Sequence, residues 1–158
     1  MLVDGRFSRD TRRERVTSAR PAEAIAVVTC MDCRVDPLAA LGLKVGDAHV
    51  LRNAGGVVSD DMIRSLAISQ RKLGTRAVML IHHTDCGMLS ITDDSFRAEL
   101  QRDTGMTPPF AIESFDDIEE DLRQSILRVR SSPFLPYRDE VRGFVYDVER
   151  QELGEVKA

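Results

Sequence analysis

The sequence contains no tryptophan, and only 5% of its 158 residues are aromatic. An aromatic platform on which nucleic-acid bases could stack is therefore not expected. No apolar run approaches the ~20 residues that a membrane span needs, so we expect no membrane insertion. The formal net charge of −4 provides no general attraction to nucleic acid or to anionic lipid.

Cysteine is also scarce, since the chain has three, an odd number that does not fit the disulfide framework of a secreted protein. Hydrophobic residues at 42% and charged residues at 30% are typical of an ordinary globular protein. The length fits one domain. We therefore expect a cytoplasmic protein with reduced thiols.

The first 21 residues differ from the rest, because their arginines are interleaved with Asp4, Asp10 and Glu14. Organelle transit peptides are poor in acidic residues, and a secretory signal needs an apolar core that this segment does not have. We predict a mixed-charge N-terminal arm over residues 1–21. A single α/β domain is predicted over residues 22–158.

Within that domain, short apolar runs alternate with segments of helical pattern. Nearly continuous apolar runs are typical of strands buried on both faces of a parallel sheet. Strands are predicted at residues 24–29, 48–51, 77–81, 143–148 and, at an edge, 151–156. Helices are predicted from Asp36-Pro37 to Gly42, Ser59 to Gly74, Thr92 to Gly105 and Ser114 to Arg130. The alternation indicates an α/β fold with a mainly parallel sheet.

All three cysteines lie directly after two of these strands. Cys30 and Cys33 follow the first strand, and His83 and Cys86 follow the strand at 77–81. The carboxyl ends of parallel strands meet at one edge of a sheet, so these side chains are expected to gather there. Cys30, His83 and Cys86 offer two thiolates and one imidazole, which suit tetrahedral Zn²⁺ and leave its fourth position open.

Asp32 and Arg34 follow Cys30, the first of these ligands, two and four residues further along the chain. In an extended turn they point to the same side, which makes a charge-assisted carboxylate–guanidinium pair geometrically easy. Such a pair would hold Asp32 off the metal and direct it toward a zinc-bound water. The sequence therefore predicts a catalytic zinc site with an acid beside it.

These motifs resemble the β-class carbonic anhydrases, most closely their small bacterial and actinobacterial branch. The resemblance rests on Cys-x-Asp-x-Arg at 30–34, Arg-Asn-Ala-Gly at 52–55 and His-x-x-Cys at 83–86, and it runs from Ile25 to Val148. It implies a four-stranded parallel sheet with an added edge strand, and a homodimer or homotetramer. One position departs from the family, because residue 33 is usually small there and is Cys33 here.

The resemblance also implies the chemistry. Cys30, His83 and Cys86 would bind one Zn²⁺ per subunit, with Asp32 and Arg34 as the catalytic dyad. The implied reaction is the reversible hydration of CO₂ to bicarbonate by a zinc-bound hydroxide.

The loop after the second strand lies beside this site. It runs from Arg52 to Gly56 and is built of small residues. We predict a substrate pocket lined by Asn53, Ala54, Gly55 and Gly87.

Three other functions stay open at this point. The same zinc site could hydrolyse carbonyl sulfide or carbon disulfide. Cys30 and Cys33 form a C-x-x-C after a strand, as in redox proteins. Cys33 could also join Cys30, His83 and Cys86 in a closed, purely structural zinc site.

The remaining polar residues near these motifs are given structural roles. His82 alternates with His83 along its strand, so it is expected to face away from the metal. His49 is interpreted as a satisfied strand histidine, Asp85 as structural, and Asp60 and Asp61 as helix-start charges.

Overall fold

The computed structural model describes residues 16–157, so most of the predicted arm, residues 1–15, lies outside the described residues. In chain order the elements are β1 (Ile25–Cys30), α1 (Pro37–Ala40), β2 (Ala48–Asn53), α2 (Asp60–Leu73), β3 (Ala77–His83), a 3₁₀ turn (Gly87–Ser90), α3 (Asp93–Thr104), α4 (Ile118–Ser131), β4 (Val141–Asp147) and β5 (Glu152–Val156). No helix in this part of the chain combines the length and apolarity needed to cross a bilayer.

The strands form one five-stranded sheet in the order β2-β1-β3-β4-β5. The pairs β1–β2, β1–β3 and β3–β4 are parallel, and β5 is antiparallel to β4. The α/β fold with four parallel strands and an added edge strand is thereby confirmed. Cys30 is level with Asn53 across β1 and β2, and β3 continues to His83, two residues further than predicted.

The two faces of the sheet are covered differently. On one face, α2 and α4 bury the larger core, in which Leu66, Leu80 and Ile126 are almost fully inaccessible to solvent. The other face carries a smaller cluster around Val27 and Ile81. Its neighbours Ile25, Ala40, Met79 and Leu153 are only partly buried.

The start of α4 differs from the prediction. The helix was predicted from Ser114, but its first residue is Ile118 and its N-cap is Asp117, whose carboxylate accepts the Glu120 amide at 2.9 Å. Ser114 lies four residues before the helix, and its amide and hydroxyl both donate to Asp93 Oδ1 instead, at 2.8 and 2.6 Å. A contact distant in sequence therefore replaced the local capping box.

Gly143 shows how closely β4 approaches α4. A Cβ added at Gly143 would lie 2.7 Å from Ile126 Cδ1 and 3.0 Å from Leu122 Cγ. We expect Gly143→Ala to destabilise the protein by about 1–3 kcal/mol through overpacking, measured by urea denaturation. The matched control is Gly154→Ala in β5, where the nearest atom would be 3.9 Å away. An equal loss in both variants would contradict overpacking as the cause.

Candidate metal centre

The structure brings Cys30, His83 and Cys86 together at the carboxyl edge of the sheet. Cys30 ends β1, His83 ends β3, and Cys86 follows in the next turn. All three are buried, and one donor atom from each lies within 4.8 Å of the other two. Donors at this separation can share one cation.

The hydrogen bonding of His83 prepares it as a ligand. Its Nδ1–H donates to the Thr84 carbonyl at 2.8 Å, which leaves the lone pair on Nε2. This Nε2 is buried and has no hydrogen-bond partner within residues 16–157. An unpaired polar atom in such a position is costly unless something binds it. With two sulfurs beside it, the donor set fits a tetrahedral zinc ion.

The two ligand sulfurs influence each other. A hydrogen bond from the Cys86 thiol lowers the pKa of Cys30 to about 4, against the opposing effect of burial. The same contact and burial raise the pKa of Cys86. At neutral pH the pair thus holds a thiolate with one shared proton, and a divalent cation would displace that proton on binding.

The end of β2 and the loop that follows it contact the backbone around Cys30. Arg52 donates from Nε to the Cys30 carbonyl at 2.9 Å and from Nη2 to the Asp32 carbonyl at 2.6 Å. Gly56 has a φ of +73°, and a Cβ there would lie 2.8 Å from the Cys30 amide nitrogen. Only glycine tolerates both conditions, so this loop can hold the Cys30–Asp32 turn at close range.

Asp32 and Arg34 form the predicted pair. Asp32 Oδ1 accepts Arg34 Nε at 3.0 Å, and Oδ2 accepts Nη2 at 2.7 Å. These hydrogen bonds hold the pKa of Asp32 well below its usual range, so its carboxylate is ionised. The carboxylate lies beside the ligands, with Oδ2 at 3.8 Å from His83 Nε2.

Asp85 also contacts Arg34, and this contact was not predicted from the sequence. Its carboxylate accepts Arg34 Nη1 at 2.7 Å and its carbonyl accepts Nη2 at 2.9 Å. Asp85 has a φ of 54°, in the left-handed region. Its position one residue before Cys86, at the same sheet edge as Arg34, was the available signal.

A cavity of about 520 Å³ opens beside the three ligands. Its lining consists of Cys30, Met31, Asp32, Ala54, Gly55, Cys86, Gly87, Met88, Ile91, Phe96, Phe110, Ala111 and Ile112. Asp32 is the one charged residue among them. Ala54, Gly55 and Gly87 lie where the sequence predicted.

Asn53 is not among the residues that line this cavity. Its side-chain amide turns into the loop and donates to the Val57 carbonyl at 2.9 Å. The apolar wall formed by Phe96, Phe110 and Ile112 was missed, because these residues come from segments that carry no motif. A cluster of bulky apolar residues around the Pro108-Pro109 loop was the only signal available.

The histidines and cysteine outside the ligand group have separate surroundings. His82 contacts Asp121, with its Nε2 at 2.6 Å from Oδ2, and faces away from the ligands as expected. His49 contacts Ser69 Oγ through Nδ1 at 2.7 Å. Cys33 is exposed and lies outside the one potential metal-binding group found in the described chain.

Fold and donor set together define an α/β metalloprotein whose sulfur-rich centre opens on an apolar cavity. A family model described as carbonic anhydrase matches residues 25–133. β-Carbonic anhydrase 1 of Mycobacterium tuberculosis is 54% identical over 136 residues, covering 86% of this chain and 83% of the relative. The chain belongs to the carbonic anhydrase family, in its β class, and its cofactor is zinc.

Two further comparisons show the range of the relatives. The crystal structure of carbonic anhydrase from Streptococcus mutans superposes with a TM-score of 0.85 at 42% identity, covering 92% of this chain and 88% of that one. A carbon disulfide hydrolase of Acidianus sp. is 32% identical over 178 residues, covering 96% of this chain and 87% of the relative.

Proposed function

We propose that the protein catalyses the reversible hydration of CO₂, in which CO₂ and H₂O give HCO₃⁻ and H⁺. The observation that carries this proposal is the buried group of Cys30, His83 and Cys86 opening directly on the apolar cavity. When bound there, zinc supplies a Lewis acid that makes water nucleophilic near neutral pH. CO₂ is small and nonpolar, and the cavity walls match it.

The residues around the ligands divide the remaining work. Asp32 is ionised and lines the cavity, so its carboxylate can accept a hydrogen bond from the water beside the ligands and orient it. Arg34 orients this carboxylate through two hydrogen bonds, and Asp85 fixes Arg34 from the other side. We propose Asp32 and Arg34 as the catalytic dyad, with Asp85 as a positioning residue.

Stopped-flow CO₂ hydration by the zinc-loaded protein, with zinc content measured on the same sample, tests the proposal. We expect turnover well above the uncatalysed rate with one zinc per chain. A fully zinc-loaded protein that does not accelerate hydration would contradict it.

A second candidate reaction uses the same residues. Carbon disulfide hydrolysis converts CS₂ and two H₂O into CO₂ and two H₂S, with carbonyl sulfide as the half-hydrolysed species. It is favoured by the named carbon disulfide hydrolase relative and by the apolar walls of a cavity with a volume of about 520 Å³. Sulfide release from CS₂ or carbonyl sulfide, compared with CO₂ hydration, measures the preference.

Assembly and location complete the proposal. We propose a homodimer or homotetramer, supported by the half-buried Ile25, Met79 and Leu153 on the less covered face of the sheet, because such surface favours association. Light scattering coupled to gel filtration should give a multiple of the 17.7 kDa chain mass, and a monomer at micromolar concentration would contradict this.

A cytoplasmic location is proposed from the free thiols at Cys30, Cys33 and Cys86.

A further inference from the structure

The connection between α3 and α4, residues 105–117, builds one wall of the cavity. It supplies Phe110, Ala111 and Ile112, and α3 adds Phe96. Cys30, Asp32 and Cys86 line the same space. Ile112 packs against the cluster of Cys30, Cys86 and Met88, so the connection reaches the metal-binding group itself.

The residues that follow this wall are anchored one after another. The amide and hydroxyl of Ser114 both donate to Asp93 Oδ1, at 2.8 and 2.6 Å. Phe115 stacks on His82 with ring centroids 5.5 Å apart and an interplanar angle of 21°. His82 is in turn held by Asp121 of α4.

Glu113 adds an anchor on the other side of Ser114. It adopts a φ of 57°, and its carboxylate lies 3.2 Å from Arg128 Nη1. Arg128 also contacts Asp60 at the start of α2, at 2.7 Å. Three consecutive residues thus connect the inner end of the wall, next to Ile112, to α2, α3, α4 and β3.

The outer part of the connection is held more loosely. Arg97 donates to the Pro108 carbonyl over a long 3.4 Å. Phe110 lines the cavity and is nevertheless 57% exposed, which places it at the rim. Ile112 is half-buried and lies deeper. The wall therefore offers an aromatic rim and an aliphatic interior.

We propose that Phe110 and Ile112 determine the preference between CO₂ and sulfur-containing heterocumulenes such as CS₂, and that Ser114 positions them. This inference rests on the proposed function. Sulfur is larger and more polarisable than oxygen, so CS₂ has a stronger dispersion attraction to aromatic and aliphatic walls than CO₂ has. The wall consequently contributes more to CS₂ binding than to CO₂ binding.

The test compares Phe110→Ala with wild type on both substrates, using H₂S release from CS₂ and stopped-flow hydration of CO₂. We expect kcat/KM to fall for both substrates, about tenfold for CS₂ and several-fold less than that for CO₂. The matched control is Phe134→Ala, at a 64% exposed phenylalanine whose carbonyl contacts Arg71 in the last turn of α2. Equal changes for both substrates, or no change, would overturn the proposal.

Ser114→Ala tests the positioning role. We expect a higher KM for CS₂ with kcat for CO₂ unchanged, and recovery in Ser114→Thr, which keeps the hydroxyl. A loss of kcat for CO₂ with no change in KM for CS₂, or no recovery in the threonine variant, would show a merely structural role and overturn it.

The specificity inference and the proposed function are contradicted by different results. A wild-type protein that hydrates CO₂ but releases no H₂S from CS₂ overturns the specificity inference and leaves the proposed function intact. A zinc-loaded protein without CO₂ hydration overturns the proposed function, while the response of CS₂ turnover to Phe110→Ala still decides the role of the wall.

Discussion

Replacement of Cys30 by serine is expected to abolish stable zinc binding and to lower CO₂ hydration on the order of a thousandfold or more. Cys30 contributes the sulfur whose pKa is lowered by the hydrogen bond with Cys86, which favours the thiolate that a metal needs. A serine hydroxyl stays protonated at neutral pH and is a far poorer zinc ligand. Atomic emission on the dialysed protein measures the zinc, and stopped-flow hydration measures the activity.

Cys33→Ser provides the matched control for this experiment. The substitution is the same and lies three residues away, but Cys33 is exposed and outside the ligand group. Zinc content and turnover should stay close to wild type. Loss of zinc in Cys33→Ser would instead indicate a closed site with three cysteines and one histidine, which would remove the open position that catalysis needs.

Asp32→Asn is expected to lower turnover by about 10²–10⁴-fold while zinc is retained. The amide keeps the shape of the side chain, but it lacks the negative charge that accepts a hydrogen bond from the reacting water. The carboxylate is engaged by Arg34, which supports a role beside the metal. Zinc content and the hydration rate are measured on the same preparation.

Asp85→Asn is the graded comparison for Asp32. It weakens one contact of Arg34 and leaves the Asp32 carboxylate in place, so a smaller loss of turnover is expected. Loss of zinc in Asp32→Asn would show that Asp32 is a ligand. Equal losses in both variants would show that the arginine network, and not the Asp32 carboxylate itself, limits the rate.

The three metal ligands could be predicted from the sequence, because the direction of the strands determines which strand ends lie together. A buried apolar run predicts a central parallel strand, and parallel strands bring their carboxyl ends to one edge. That rule placed Cys30 and His83 together although 53 positions separate them, and the structure places their donors within 4.8 Å. The five-stranded α/β sheet followed from the same alternation and from the family resemblance.

The cavity wall was not readable, because it depends on contacts between distant parts of the chain. Ser114 reads locally as a helix cap, yet Asp93 captures it from the start of α3. Asn53 reads as a pocket residue, yet its side-chain amide donates to the Val57 carbonyl, four residues further along the chain. In both cases the sequence pattern alone does not identify the hydrogen-bond partner that the side chain takes.

Because two histidines end β3, the metal-binding group depends on the register of this strand in the sheet. His82 and His83 lie on opposite faces of one strand, the first contacting Asp121 and the second joining the sulfurs. Deleting a single residue within β3 would move His83 to the place of His82 and Thr84 to the place of His83. The metal-binding group would then lose its imidazole. The length of β3, as well as its residue types, is therefore a requirement of this site.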